Sequence, residues 1–511
     1  MPESNSDQSA LQLCWGDFHK HVESVEDAER SLSAARDLLD CYPALLYPYH
    51  LKTVRGLPLE TEAPTADHAA LWEAMRAVVE RYDEPGRFVA MMAYEWHGNR
   101  RRYGDFNVFY FGSTPPLYYP LTLDELYVHL RAHDGLAIPH HTAYAVGRGG
   151  TDWSALDETL SPVTDLFSVH GSSESELRGD LLPFNSNMGP GIAGGTAQDA
   201  LNQGLHLGLI ASNDGSGLPG SWGQGLAALW APERTRAGMR EALLKRRVYG
   251  VTGDRIRLWF AANEQPMGSR LQTGGPVTFD VDVTGSSAID RIELIRNGRV
   301  IDTYCHAGRW EDAAPGARLK AKCRFHFSGG PSAWLGFPER DIEVQWRGQL
   351  RVDGGRLLGV EPCFTRFGQS IEYSDETSCR WHLTTPTNAA LVFELDAAPD
   401  ARLSLEVDGH IFDLELRDLL RRSQVSCLWD EAQARIEEKL GVPAEEISNP
   451  DTIYFAARKI KADIAIPEAG YRVTKQFRDQ PPPDRESYYY ARVTQCNGQM
   501  AWSSPVWVSR K

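Results

Sequence analysis

The sequence predicts an α/β barrel followed by a β-rich, sandwich-like domain. In the first half, short apolar segments typical of strands alternate with amphipathic segments typical of helices, which is the pattern of a parallel α/β barrel. From about residue 255 onward, alternating strands separated by turns replace the helices. A chain of 511 residues is too long to fold around a single hydrophobic core of ordinary size, so more than one domain is expected. We therefore expect a barrel over residues 1–253 and a β-rich domain over residues 254–511.

The first predicted strand, residues 11–15, leads directly to His19 and His21. Side chains two residues apart on an extended strand point to the same side, so both imidazoles could reach one metal ion. In barrel-like α/β enzymes the carboxyl ends of the strands carry the active site. A lone His-x-His pair is a weak signal, and the strands that follow decide its meaning.

Four later strands each end in a side chain that can bind a metal ion. They are predicted at 88–94, 136–139, 165–169 and 207–211, and helices are predicted at 24–39, 65–82 and 123–133. The side chains that follow these strands are Glu95, His140, His170 and Asp214. Chance would not place ligands at the end of each strand, so the pattern favours one metal site.

The candidate ligands combine imidazoles with carboxylates: His19, His21, Glu95, His140, His170 and Asp214. This mixture suits Zn, Mn or Fe rather than Ca or Mg, whose sites are mostly oxygen. The set is too large for one tetrahedral ion, and a carboxylate such as Glu95 can bridge two. Two-metal sites are typical of hydrolases that activate water, so we expect two divalent transition-metal ions.

The second half is predicted as β-rich with one helical insertion. Strands are predicted at 256–260, 277–283, 289–296, 299–304, 402–416, 487–494 and 502–508. Asn297 and Gly298 between two of them are a hairpin signal. A helix at 428–440, ended by Gly441, lies within an insertion near 415–460.

Composition excludes several classes of protein. The net charge of -16 argues against a nucleic-acid binder, and no apolar run is long enough for a membrane span. Residues 1–10 lack the features of a signal peptide. The eight cysteines are scattered without a Cys-x-x-Cys pair, as expected of reduced thiols. We expect a cytoplasmic protein; the sequence does not indicate its oligomeric state.

Several motifs together resemble the PHP superfamily of metal-dependent phosphoesterases. They are GDFHKH at 16–21, AYEWHG at 93–98, IPHH at 138–141, FSVHGSSES at 167–175 and IASNDGSGLPG at 210–220. The chain is most similar to a branch of unknown function, which segments 246–260, 295–301 and 488–508 also resemble. The resemblance implies a distorted (β/α)7, TIM-like barrel that carries a metal cluster, followed by a β-rich domain. The segment from about 305 to 485 is least covered.

The resemblance also implies how the ligands divide between two ions. The first ion would be held by His19, His21, Glu95 and Asp214. The second would be held by Glu95, His140 and His170.

The chain departs from the family at the third PHP ion. Ser216 stands where the family has a histidine, and only His50 lies in the region of the usual Asp-His pair. Asp105 occupies the position of the branch's customary histidine, and Asp105 or His97 could compensate. We expect two firmly bound ions and a weak, altered or absent third.

The leading hypothesis is a metal-dependent hydrolase, a phosphoesterase that uses a metal-activated water on a small, anionic substrate. His141 and Asp214 are the candidate catalytic residues, with His141 either a proton donor to the leaving group or a neighbour of the ligands. The preference for phosphate comes from the resemblance. Amidohydrolase-like hydrolysis of an amide or lactone stays open, as does a non-catalytic scaffold that binds metal or a ligand.

Two acidic positions near the ligands have less specific expectations. Asp17 could orient a ligand histidine through its second ring nitrogen. Glu174 and Glu176, which follow His170, are expected to be solvated loop acids or charges at the start of a helix rather than ligands.

Overall fold

The computed structural model describes residues 10–48, 50–55, 57–61, 64–176, 191–215, 224–306, 318–329, 344–363, 369–385, 388–448, 454 and 457–510. The chain divides into two compact units. Unit 1 comprises Met1–Thr284, Asp290–Cys305 and Thr474–Lys511, and unit 2 comprises Gly285–Ile289 and His306–Val473. The predicted boundary after residue 253 therefore falls inside unit 1.

The strands up to residue 305 number twenty in the described part of the chain. They are β1 (Gln12–Gly16), β2 (His21–Val22), β3 (Cys41–Leu46), β4 (His50–Val54), β5 (Leu57–Thr61), β6 (Val89–Trp96), β7 (Asp105–Tyr110), β8 (Gly135–His140), β9 (Val163–Asp165), β10 (Phe167–Ser168), β11 (Gly171–Ser172), β12 (Gly208–Ile210), β13 (Leu226–Ala231), β14 (Val248–Val251), β15 (Arg257–Ala262), β16 (Gln265–Pro266), β17 (Arg270–Thr273), β18 (Val277–Thr284), β19 (Ile289–Arg296) and β20 (Arg299–Cys305).

The remaining strands follow in chain order. They are β21 (Leu319–Ser328), β22 (Val344–Cys363), β23 (Ser370–Ser374), β24 (Ser378–Thr385), β25 (Asn388–Val407), β26 (His410–Glu415), β27 (Gln424–Cys427), β28 (Lys459–Ala462), β29 (Ile466–Pro467), β30 (Arg472–Asp479), β31 (Ser487–Gln495), β32 (Met500–Ser503) and β33 (Val506–Arg510).

Within the described residues, helices are fewer than strands, and most of them are short. The α-helices are α1 (Val25–Leu38), α2 (Ala66–Tyr82), α3 (Arg100–Tyr103), α4 (Leu123–Ala132), α5 (Ala197–Asn202), α6 (Arg236–Leu244), α7 (Leu416–Leu419), α8 (Trp429–Leu440) and α9 (Glu468–Tyr471). Single 3-10 turns lie at Trp153–Ala155 and Ala444–Glu446.

Side-chain caps explain where the longer helices begin. The Ser24 hydroxyl accepts the Asp27 backbone N–H at 3.0 Å and so starts α1. Thr65 and Thr122 form capping boxes at the starts of α2 and α4. The three helices predicted in the first half are all present, within about a residue of their expected ends.

The principal sheet of unit 1 is mixed, not parallel. Strands β1, β3 and β6 run parallel, whereas β6–β7, β7–β8, β1–β13 and β13–β14 are antiparallel. Strands β9 and β12 form a separate parallel pair. A mixed α/β, sheet-rich fold is confirmed, but the all-parallel strand arrangement predicted from the sequence is wrong. Among the described residues, the hydrogen-bonded ladders end at β8 and do not close into a TIM barrel.

The last strands of the chain extend the same sheet. Strand β14 pairs with β32, in a register that sets Gly250 opposite Trp502, and β32 pairs with β31. Strands β19 and β20 form the predicted hairpin, whose turn residues Asn297 and Gly298 have φ of 50° and 77°. Because β31 and β32 join this sheet, unit 1 is discontinuous in sequence.

Unit 2 contains an antiparallel sheet of nine strands. Its order is β23-β24-β22-β25-β21-β28-β27, with β26 on β25 and β29 on β21. The core includes Trp346, Trp381, Phe325 and Phe393, all buried. Helix α8 ends at Gly441, whose φ of 65° is left-handed. This sheet occupies most of the segment from about 305 to 485, for which the family resemblance gave the least support.

No helix within the described ranges combines the length and apolar character needed to cross a membrane.

Candidate metal centre

The segment after β1 presents two imidazoles to one carboxylate. The Nε2 atoms of His21 and His19 lie 2.6 Å and 3.6 Å from Oε2 of Glu95. The residues between β1 and β2 are not in a strand, and the Asp17 carboxylate accepts the His19 backbone N–H at 3.2 Å. The two imidazoles therefore converge on Glu95 from a segment that lies mostly outside the strands, and not through the strand alternation expected from the sequence.

Glu95 lies at the end of β6, where the sheet register brings further ligand types beside it. Its Oε1 is 2.6 Å from Nε2 of His97 and 3.6 Å from Nε2 of His140. In the ladders, Glu95 stands opposite Asn107, and Asp105 stands opposite His140. Pairing of β6, β7 and β8 thus collects these side chains at one end of the sheet.

Asp214 provides the second carboxylate, from the loop after β12. Its Oδ1 is 3.2 Å from Nε2 of His19, and its Oδ2 is 2.5 Å from His141 and 3.0 Å from His170. The Asp214 backbone N–H also donates to the His19 carbonyl at 2.6 Å. Both Asp214 and His141 have left-handed backbones, with φ of 52° and 50°. Such conformations cost of order 1–3 kcal/mol and cluster at functional sites.

Three overlapping groups of side chains have ligand atoms within 4.8 Å of one another. The groups are His19, His21 and Glu95; His19, His140 and His141; and His141, His170 and Asp214. All six predicted ligands and His141 therefore converge. The grouping differs from the one implied by the resemblance, because His170 lies with His141 and Asp214, and not with Glu95 and His140.

The buried imidazoles fit a metal ion. His19 and His140 are 0% and 1% exposed, and within the described part of the chain none of their four ring nitrogens has a hydrogen-bond partner. A buried polar atom without a partner costs about 1–3 kcal/mol. An imidazole lone pair is satisfied equally well by coordination to Zn, Mn or Fe. The residues present therefore suit transition-metal ions.

Burial and the charges of neighbouring side chains strongly shift the pKa values of the histidines and carboxyl groups in this cluster. Burial alone would lower the pKa of His19, but the carboxylates of Asp214 and Glu95 raise it to about 9. Burial would raise the pKa of both carboxyl groups, yet the surrounding histidines hold both well below the usual range. Burial, together with His19 and His141, lowers the pKa of His140. The carboxylates are thus anions that favour cationic partners.

The residues suggested for a third ion form an ion pair instead. Asp105 is fully buried, and its Oδ2 accepts Arg100 Nη2 at 2.8 Å, while His97 Nε2 lies 3.6 Å from its Oδ1. Ser216 lies outside the described residues, as does the side chain of His50. Asp105 and His97 therefore stand beside Glu95, with a cation already paired to Asp105.

Two neighbours of the centre gave little signal in the sequence. Asp17 is fully buried and accepts the backbone N–H groups of His19 and Asn213, at 3.2 Å and 3.0 Å. Tyr47 stacks on the His21 ring at 4.2 Å between centroids. An acid two residues before a His-x-His pair is the cue to Asp17 in the sequence. The position of Tyr47 follows from the pairing of β3 with its neighbours, which the sequence does not reveal.

Comparison with known proteins places the chain near others without an assigned function. A family model described as "Protein of unknown function (DUF3604)" matches residues 203–278. An uncharacterized protein of Chlamydia pneumoniae is 26% identical over 317 residues, which is 58% of this chain and 49% of that protein. One of Chlamydia muridarum is 25% identical over 379 residues, which is 68% of this chain and 58% of that protein. The chain thus spans about half the length of the curated relatives it matches.

One solved structure from Bacteroides vulgatus is also similar, a two-domain protein containing a predicted PHP-like metal-dependent phosphoesterase. The match has a TM-score of 0.31 and 11% identity, and it covers 79% of this chain and 96% of that chain. A TM-score this low does not establish a shared fold. The sequence matches therefore connect the chain with uncharacterized proteins.

Proposed function

We propose that this chain is a metal-dependent hydrolase of the PHP type, which cleaves a phosphoester in a small, anionic substrate. The observation that carries the proposal is the convergence of five histidines on the Glu95 and Asp214 carboxylates, with two of those histidines, His19 and His140, buried without a hydrogen bond to a ring nitrogen among the described residues. Structural histidines in a core normally pair with a donor or acceptor. Two buried rings without hydrogen bonds, within a cluster of histidines around two carboxylates, are better explained by coordination.

We assign two transition-metal ions, Zn, Mn or Fe, to this set. One would be held by His19, His21 and Glu95, and the other by His141, His170 and Asp214, with His140 between them. When bound, such ions lower the pKa of water toward 7 and stabilise charge on phosphate oxygens. We assign a PHP-like metal-binding domain to the residues before 254, whose mixed sheet continues through β14 into β32, and a β-rich domain to the residues after 253.

The protein's own groups have distinct parts in this proposal. Glu95 and Asp214 supply the negative charge that balances the ions, and both lie between imidazoles on two sides. From the sequence, His141 could be either a proton donor to the leaving group or a neighbour of the ligands. Its Nε2 lies 2.5 Å from Asp214 Oδ2, and its membership of two of the three groups of ligand atoms supports a ligand role for His141.

The proposal is tested by phosphoester hydrolysis with and without Asp214. The full chain, reconstituted separately with Zn, Mn and Fe, should hydrolyse a p-nitrophenyl phosphomonoester or phosphodiester. Asp214→Asn should lower that rate by about 100-fold or more, as loss of a charged group at the reacting centre does. Asp400→Asn, an exposed position in unit 2, should leave the rate unchanged.

A parallel panel of amides and lactones distinguishes the alternatives. Turnover of amides or lactones without turnover of phosphoesters would replace the proposal by amidohydrolase-like chemistry. Bound ions without hydrolysis of any of these substrates would contradict catalysis and favour a scaffold.

A further inference from the structure

His170 lies at the tip of a tight hairpin made by β10 and β11. Ser168 pairs with Gly171 across the hairpin, so Val169 and His170 are its two turn residues. The Ser168 hydroxyl accepts the His170 backbone N–H at 3.2 Å, and the Val169 N–H donates to the Asn213 carbonyl at 2.9 Å. The position of the imidazole therefore depends on where the hairpin is held.

A buried carboxylate anchors the chain just after this hairpin. Glu174 was expected to be solvated, which is wrong, because it is 1% exposed. Its Oε1 accepts the Tyr490 hydroxyl and Arg492 Nη1, both at 2.7 Å, and its Oε2 accepts Trp502 Nε1 at 2.9 Å. Three side chains of β31 and β32 thus bind one carboxylate that follows the hairpin by two residues.

The main chain of the same segment is held as well. The first turn of α5 donates to it, with the Ala197 N–H to the Ser173 carbonyl at 2.8 Å and the Gln198 N–H to the Glu174 carbonyl at 3.1 Å. The Gln198 amide also donates to the Tyr490 hydroxyl at 2.7 Å. Side chain and backbone restraints therefore act on the same two residues.

Stability alone does not account for this buried charge. Arg492 is 2% exposed and also donates through Nε to Glu293 at 2.8 Å, so one guanidinium serves two carboxylates. Well-packed apolar residues are often as stabilising as a buried ion network, because removing charges from water is costly. A network of fixed geometry does, however, define a position more narrowly than apolar packing.

We infer that Glu174 is a positioning residue for His170, and that β31 and β32 thereby form part of the metal centre. Its three donors fix the base of the hairpin, which keeps His170 Nε2 3.0 Å from Asp214 Oδ2. The inference rests on the proposed function, since it assigns His170 to an ion.

The test compares Glu174→Gln with Glu293→Gln in the full chain. Both substitutions remove one carboxylate from Arg492, but only Glu174 follows the His170 hairpin. Metal-stripped protein is titrated with Zn²⁺ by calorimetry, and unfolding in urea is measured alongside. Glu174→Gln should weaken one of two Zn²⁺ sites by about 10-fold or more, the usual effect of losing a partner behind a ligand. Glu293→Gln should retain both sites, whatever its loss of stability.

A double-variant cycle with His170→Ala separates positioning from general destabilisation. If Glu174 acts through His170, adding Glu174→Gln to His170→Ala should cause no further loss of Zn²⁺ affinity. Should Glu174→Gln fail to fold, Tyr490→Phe removes one of the three donors without changing any charge. It should weaken the same site by a smaller factor.

Each remaining outcome has a definite meaning. Equal loss of affinity in the two glutamine variants, or two unchanged sites in Glu174→Gln, would overturn the inference alone. A wild-type chain that binds no Zn²⁺ would overturn the proposed function, and the inference with it.

Discussion

Asp17 joins two ligand-bearing segments through their backbones. Its Oδ1 accepts the N–H groups of His19 and Asn213, and the Asp214 N–H returns to the His19 carbonyl. His19 and Asp214 are far apart in sequence, so one buried carboxylate sets the separation of their side chains. Orientation of an imidazole, the role expected from the sequence, is not needed for Asp17 to shape the centre.

Asp17→Ala should lower the free energy of unfolding by about 2–3 kcal/mol, because two buried N–H groups lose their acceptor. Equilibrium unfolding in urea measures the change. The matched control is Asp290→Ala, an exposed position that pairs only with Arg291 among the described residues, where a change within about 0.5 kcal/mol is expected. Equal effects of the two substitutions would contradict the bridging role of Asp17.

At the residue scale, the sequence identifies the side chains that could bind metal but not the groups that hold those side chains in place. Glu95, His140 and Asp214 could be selected because each follows an apolar strand, and strand ends are visible as hydrophobic pattern. Glu174 also follows a strand, yet its donors come from β31 and β32. Only the tertiary pairing of distant strands shows that its charge is buried.

His206 connects three elements of unit 1 through charge. Its Nε2 lies 2.7 Å from Glu486 and its Nδ1 lies 3.3 Å from Glu158, with the Trp507 ring at 5.0 Å. The hydrogen bond that the His206 ring makes to Glu158, followed by the one to Glu486, raises the pKa of His206 against the effect of burial. Burial would raise the pKa of both carboxyl groups, but their hydrogen bonds with His206 lower it.

This arrangement makes the effect of His206→Gln dependent on pH. A histidine whose pKa is raised by folding stabilises the fold fully at pH values below its pKa in the unfolded chain, about 6.5. This contribution is lost as the pH rises through its pKa in the folded protein. Glutamates with lowered pKa contribute above about 4.3 and lose the contribution as pH falls. Arg246 and Arg270, the nearby cations, keep their charge throughout this range.

His206→Gln should therefore lower the free energy of unfolding more at pH 6 than at pH 9. Urea unfolding at the two pH values measures the difference. His410→Gln, at an exposed position in unit 2, should have a small effect at both. Equal losses for His206→Gln at both pH values would show that the charged imidazole is not what stabilises the contact.

Elements were predictable where the cue is local. Caps at Ser24, Thr65 and Thr122 locate three helices, and the Asn297 and Gly298 turn locates a hairpin. Strand direction was predicted correctly for β1, β3 and β6 and for the pair β9–β12, but not for the antiparallel strands β7, β8, β13 and β14. The eight residues between β6 and β7 are fewer than a parallel crossover needs, which requires about a dozen. The short connection therefore indicates that β6 and β7 are antiparallel, which the hydrophobic pattern alone does not indicate.

At the scale of the whole molecule, the chain leaves unit 1 and returns to it. Unit 2 is built from Gly285–Ile289 and His306–Val473, after which Thr474–Lys511 rejoins unit 1. The predicted boundary after residue 253 marks the point where segments typical of helices give way to segments mostly typical of strands. Strand β14, before that boundary, pairs with β32, far after it. Pairing between strands so distant in sequence produces no hydrophobic pattern from which it could be predicted.

The central claim is that the convergent side chains of unit 1 bind two ions, and metal content measures this most directly. Elemental analysis of the full chain, purified without a histidine tag and reconstituted with Zn or Mn, should find about two equivalents. His19→Ala and His170→Ala should each lower the content, whereas His410→Ala, exposed in unit 2, should not. Metal at background level in the reconstituted wild-type chain would contradict the claim.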